Sequence, residues 1–185
     1  AQRTLGETLV CQPGSESAGP SMSVSPTTVD LDRRRRCGFP EVIYGEGKSV
    51  DSIVAIARQL LDNRQQVLAT RVTGEQAVEV IQQLPMLRYN AVGRVLSSQA
   101  ERQNPAPDSG AVAVISAGTT DQPVAEEARE TLSWMGVEAT MIHDVGVAGP
   151  HRLVERLAEF QSCAAVVVVA GMEGALPSVV GGHVA

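Results

Sequence analysis

The sequence predicts an α/β protein: a parallel sheet layered between helices, preceded by a small α+β unit. Three observations predict it. First, one pattern occurs three times, over residues 111–123, 137–152 and 164–177: an apolar strand, a turn of small residues, then a helix start. Second, strands that alternate with helices form parallel sheets, and such sheets place a ligand outside the carboxyl ends of their strands; all three turns fall at such ends. Third, the region before them reads β-α-β-α-β-β, with helical apolar spacing in its first long helix.

In chain order, residues 1–26 are rich in Gly, Ser, Pro and Thr and read as a loosely held tail. Residues 29–37 form a short helix ending near Gly38. Residues 40–44 are a strand and 45–48 a turn. Val50, Ile53, Val54, Ile56, Ala57, Leu60 and Leu61 then recur at three- to four-residue spacing, which predicts an amphipathic helix. Residues 66–72 are a strand, and 74–84 a helix with Ala77, Val78 and Ile81 inward. Residues 86–89 and 91–96 are strands about a turn at Asn90. Pro105, Pro107 and polar neighbours over 99–110 mark a linker.

In the second unit, Asp121 and Pro123 start a helix with Glu126 and Glu127 in a first turn, where the helix dipole favours acids. Its inward face is Val124, Ala128, Leu132 and Met135, and Gly136 ends it. Gly149 and Pro150 start the next helix, with Leu153, Val154, Leu157 and Ala158 inward. Residues 164–170 are an unbroken apolar run, which predicts a central strand covered on both faces. Doubly wound domains have about five strands, so the chain is expected to be C-terminally truncated.

Composition narrows the function. The 185 residues suffice for one good core or a core with a small appendage. Two Phe, two Tyr and one Trp leave little means of stacking on bases. Residues 1–99 carry 11 basic and 10 acidic side chains, and residues 100–185 carry 4 and 11. The one basic run, 33–36, reads as a solvated helix face, so no nucleic-acid partner is expected. Cys11, Cys37 and Cys163, with three scattered histidines, show neither disulfide nor zinc spacing. That usage fits a reducing, cytoplasmic compartment. No apolar stretch of about 18 residues and no hydrophobic leader core occur, so no membrane partner is expected.

Each of the three turns offers backbone N–H groups that a helix start leaves unpaired, and these attract anions. In the first, Thr119 and Thr120 can hold a phosphate, or Thr120 or Asp121 is simply a cap. In the second, Arg152 can clamp a phosphate through parallel hydrogen bonds. Asp144 there can hold a ribose hydroxyl or position a cation, or only close the turn. In the third, Glu173 sits between Met172 and Gly174. A carboxylate pressed among apolar residues has a raised pKa and suits acid–base work; otherwise it is a dipole-stabilising acid. Dinucleotide, P-loop and nucleophile-elbow motifs are absent. Cys163 reads as a core filler.

The runs AGTTDQPVAEEA from Ala117, DVGVAGPHRL from Asp144 and VAGMEGALPSVVGG from Val169 closely resemble the LarB family. Leu31, Asp32 and Arg33, GFPEVIYGEGK from Gly38 and ATR from Ala69 resemble it too. LarB proteins are pyridinium-3,5-biscarboxylic acid mononucleotide synthases, which open the route to the nickel-pincer nucleotide cofactor. The second unit is also similar to PurE-type aminoimidazole ribonucleotide carboxylases, whose Ser-Asp, His-Arg and Gly-rich turns come in the same order. Glu173 favours LarB.

The resemblance implies a PurE-like three-layer α/β/α domain over residues 111–185, after a small α+β domain over 27–98. It implies that nicotinic acid adenine dinucleotide is carboxylated on its pyridinium ring by CO2 or bicarbonate, and that its phosphoanhydride is hydrolysed to release AMP. It also implies Mg2+ and a homo-oligomer, an octamer by analogy with the purine enzymes. Catalytic roles would fall to Glu173, which removes the ring proton, and to Asp144. Substrate would be bound by Arg71, by Gly118, Thr119, Thr120 and Asp121, and by Gly146, Val147, His151 and Arg152. Gly171, Met172, Gly174 and Ala175 would complete the set. The family's nucleophilic cysteine follows the Gly-Met-Glu-Gly turn, and this chain has no cysteine beyond Cys163. It is therefore expected to be inactive in carboxylation as it stands. A purine-type carboxylase or mutase, and a nucleotide-binding module without catalysis, stay open as alternatives.

Overall fold

The computed structural model describes residues 28–98 and 110–184. The predicted tail, Cys11 and all of the predicted linker except Gly110 lie outside the described residues.

The first unit opens with α1 (Arg33–Cys37), closed by Gly38 in the left-handed region at φ 84°. Its arginines are exposed, and Arg35 and Arg36 pair with Asp30 and Asp32, as a solvated face should. Then follow β1 (Ile43–Tyr44), α2 (Val50–Asp62), β2 (Leu68–Thr70), α3 (Gly74–Gln83), β3 (Leu87–Asn90) and β4 (Val95–Ser98). The strands lie in the order β1-β2-β4-β3, with β1 and β2 parallel and the other pairings antiparallel. Ser49 caps α2 by accepting from the Ser52 N–H, and Thr73 and Gln76 form a reciprocal capping box on α3. Both helices close one core with Ile43, Ala69, Leu87 and Leu96.

Two expectations change here. β1 keeps only Ile43 and Tyr44, the residues that pair with Ala69 and Thr70. On α3 the inward set is Ala77, Val80 and Ile81, whereas Val78 is 59% exposed. Positions 77, 80 and 81 share a face, and position 78 lies about 100° round the helix from 77.

The second unit runs β5 (Val112–Ser116), α4 (Gln122–Trp134), β6 (Ala139–Ile142), α5 (Pro150–Glu155), β7 (Ala165–Val169) and α6 (Ala175–Gly181). β5 is central, with β6 and β7 parallel on either side. Ala113 and Ile115 join Leu153, Phe160, Leu176 and Val180 in a core on the α5/α6 face. Strand alternation turns Val112, Val114 and Ser116 the other way, where α4 packs against β5 and β6. The result is an α/β fold of three layers. Among the described residues no helix is long and apolar enough to cross a membrane.

Four predictions about these elements are corrected. The apolar run at β7 is an edge strand, half-buried at best, because β5 takes the centre and no described strand pairs with its outer side. α4 begins at Gln122, after a 3-10 turn at Thr119–Asp121, so Glu126 and Glu127 fall beyond its first turn. Its buried residues are Ala125, Glu130 and Trp134, while Val124 is exposed. The helix is rotated from the predicted face because it serves two partners: Trp134 packs on Leu68 and Val95 of the first unit. On α5 only Leu153 is buried and Val154 is exposed; past its end, in a 3-10 turn at Leu157–Glu159, Leu157 is half-buried and Ala158 exposed.

The α3 face is open to a direct check. Val80→Ala should lower the unfolding free energy by about 2 kcal/mol in urea, and Val78→Ala should stay within about 0.5 kcal/mol of the parent. Equal losses would restore the face predicted from spacing.

Candidate functional site

Register decides where the turns of the second sheet begin. Ser116 lies opposite Val169, and Ile115 opposite Ile142, so the three turns start level. Backbone bonds tie them together past the strand ends. Ala117 N–H donates to Val169 O at 3.1 Å, Val145 N–H to Ser116 O at 3.3 Å, and Gly146 N–H to Ala117 O at 3.0 Å. A Cβ on Gly146 would stand 3.0 Å from that same Ala117 oxygen, so a residue without one lets the two turns close up.

The turns converge on a cavity of about 310 Å3. Gly118, Thr120 and Asp121 line it from the first turn, and Gly146, Val147 and Arg152 from the second. The third contributes Gly171, Met172 and Ala175. Thr119, His151 and Gly174 sit on the same turns without lining it; nor do Asp144, Glu173 or Arg71 line it.

Asp121 Oδ2 accepts from Gly118 N–H at 2.8 Å, so this carboxylate closes its own turn; it stands at the N-cap position of α4 without accepting from that helix. Arg152 Nη1 lies 2.7 Å from Asp144 Oδ2. Asp144 takes a left-handed backbone (φ 61°), which aspartate tolerates better than most residues. A Cβ on Gly149 would meet Arg152 Nε at 2.7 Å; its absence lets the guanidinium fold back toward Asp144. The pair engages only some of the five guanidinium donors and leaves the rest for an anion.

The surroundings predicted for Glu173 are not found. Met172, Glu173 and Gly174 are successively left-handed, at φ 43°, 44° and 77°. This turn presents Glu173 to solvent instead of pressing it among apolar residues, and Met172 stands at the cavity mouth, 73% exposed.

Two features escaped the sequence reading. Ser116, fully buried, hydrogen-bonds His143 Nδ1 at 2.9 Å; the signal was the position of Ser116 as the last residue of β5 and of His143 just past β6. Glu130 is buried between the units, and among the charged neighbours Glu126, Glu127 and Arg129 nothing in the sequence marked it. Beside it, the Arg129 guanidinium, aided by Asn90, holds the Glu126 carboxyl below the usual range against the upward push of burial.

The first unit's motif residues gather at the carboxyl ends of β1 and β2, against α4. The Tyr44 hydroxyl donates to Glu46 at 2.5 Å, which pushes its pKa up. Arg71 Nε lies 2.8 Å from Glu127 Oε2, and Arg94 donates to the Arg71 carbonyl at 3.3 Å. Cys163 stands before β7, a strand's length from the cavity, and Cys37 is exposed on α1.

Asp121 is committed to Gly118 N–H and Asp144 to Arg152. The described residues hold no group of three or more metal-ligating side chains. No step below runs through Mg2+.

Residues 22–101 match the LarB/PurE-like N-terminal domain. The uncharacterized protein MJ0165 of Methanocaldococcus jannaschii is 40% identical over 160 residues, which cover 82% of this chain and 62% of that protein. The chain thus spans less than two thirds of that relative.

Gly149→Ala should displace Arg152 from Asp144 and weaken pyrophosphate binding about tenfold by calorimetry, or about 1.4 kcal/mol. Unchanged affinity would separate Arg152 from anion binding. Glu126 titrates lower in the folded than in the unfolded chain, so its stabilisation is present above the ordinary value of 4.5 and is lost as pH falls below it. Glu126→Gln should therefore flatten the fall in stability between about pH 5 and pH 3 in acid unfolding.

Proposed function

We propose, on the match of residues 22–101 to the LarB/PurE-like N-terminal domain, that the three-turn cavity takes one nucleotide half of nicotinic acid adenine dinucleotide. The whole protein would carboxylate the pyridinium ring with CO2 or bicarbonate and cleave the phosphoanhydride to release AMP. The LarB/PurE-like assignment supports a carboxylase-type enzyme; the substrate is our reading. The observation that carries it is the convergence of three level turns on one cavity with a single, Asp144-steered guanidinium.

The residues suit that ligand. Arg152 pairs with a phosphate through parallel hydrogen bonds. The N–H groups at the start of α4 and the Thr120 hydroxyl take further anionic oxygens. Gly118, Gly146 and Gly171 let a flat ring approach the backbone. A pyridinium is too electron-poor to attack CO2 until a nucleophile adds to it and yields a dihydropyridine. No described cysteine stands at the cavity, so the residues that line it bind and orient. Glu173, on the rim turn, is the group we assign to removing the ring proton.

Thermal unfolding tests this. Nicotinic acid adenine dinucleotide at about a hundred times its Kd should stabilise the chain by about 2.7 kcal/mol, and Arg152→Ala should abolish most of the shift. Glu173→Gln should leave it within about twofold in affinity, as a proton-handling group would. Stabilisation by aminoimidazole ribonucleotide alone would favour the purine-type carboxylase. Equal stabilisation by AMP and the dinucleotide would favour a binding module.

A further inference from the structure

Of the three buried residues of α4, two are held by the first unit and not by the helix's own sheet. Glu130 is 3% exposed. Arg88 Nη2 reaches it at 2.9 Å and Asn90 Nδ2 at 3.1 Å, both from β3. The same Asn90 nitrogen donates to Glu126 at 2.6 Å, and Arg129 bonds both Glu126 and Glu130. Farther along, Trp134 is enclosed with Leu68 and Val95. Between β3 and β4, Gly93 rests on the helix backbone: a Cβ there would stand 3.0 Å from Glu127 N and 3.1 Å from the Glu126 carbonyl carbon.

This grip has one geometry. A buried carboxylate is costly unless its partners stay in place, and the close approach at Gly93 admits no slack. The gripped helix is also the one whose N-terminal end forms the first wall of the cavity, with Asp121 as its cap position and Thr120 in the preceding turn. The other two walls lead into α5 and α6, which pack in the core on the sheet's far face. A helix moves as a rod, so a shift at residues 126–134 carries the turn at 118–121 with it, while the other turns stay on their own core.

We propose that Arg88, Asn90 and Gly93 are positioning residues: through α4 they fix the first turn of the cavity against the second and third. The first unit thereby sets the shape of a site to which it contributes no lining residue. The inference concerns the site whatever ligand fills it.

Amide hydrogen exchange on the ligand-free protein tests it, so the result stands apart from the substrate reading. In Asn90→Ala, and in Gly93→Val as an independent disruption, the Gly118 and Asp121 amides, bonded within the first turn at 2.8 and 3.2 Å, should exchange about tenfold faster. The Gly149 and Arg152 amides, bonded within the second turn at 3.0 Å, should stay within about twofold. Equal acceleration in both turns, the mark of general loosening, would overturn the proposal. So would unchanged exchange in the first turn of either folded variant.

Discussion

The rest of the structure depends on the in-register parallel pairing of β5 with both β6 and β7. Val112 to Ser116 face Ala165 to Val169 one for one, and Val112 to Ile115 face Ala139 to Ile142. Level strand ends follow, and from them the level turns and the cavity. A slip of one residue would turn Ala113 and Ile115 out of the α5/α6 core. It would also part the Gly146 N–H from the Ala117 oxygen that joins two of the turns. The packing of the core and the geometry of the site thus rest on the same hydrogen-bond ladder.

A three-stranded sheet offers its helices little support, and the fold finds more by sharing α4. The buried Glu130, with Arg88, Asn90 and Arg129 around it, sits where an apolar residue would be expected on a helix that touched one partner only. Charged groups in such a contact define register more than they add stability. The apolar contribution comes from Trp134, Leu68 and Val95. Chemistry and docking therefore occupy opposite ends of one helix.

Much of this was legible in the residues. The three apolar runs, their small-residue turns and the Gly-Pro helix start gave the parallel sheet and the position of the cavity. Of the LarB-like runs, those at residues 31–33, 38–48 and 69–71 fall within the family domain matched over residues 22–101. What escaped has physical causes. Periodicity marks where apolar residues recur, not how many neighbours a strand has, so β7 read as central although it lies at an edge. Glu130 lies off the predicted stripe of α4, because pairing and not hydropathy buries it. Glu173 looked enclosed by Met172 and Gly174 because local propensity gives no sign that a Met-Glu pair adopts a left-handed turn. Arg71 fell within a family motif, yet its partner is Glu127 on α4.

The claim that three strand-end turns form one ligand site is tested most directly by an amide chemical-shift titration with nicotinic acid adenine dinucleotide. Shifts concentrated in residues 118–121, 146–152 and 171–175, saturating with a single dissociation constant, are the predicted result. Shifts confined to the ends of β1 and β2 around Tyr44 and Arg71, or separate saturation of the three turns, would contradict it.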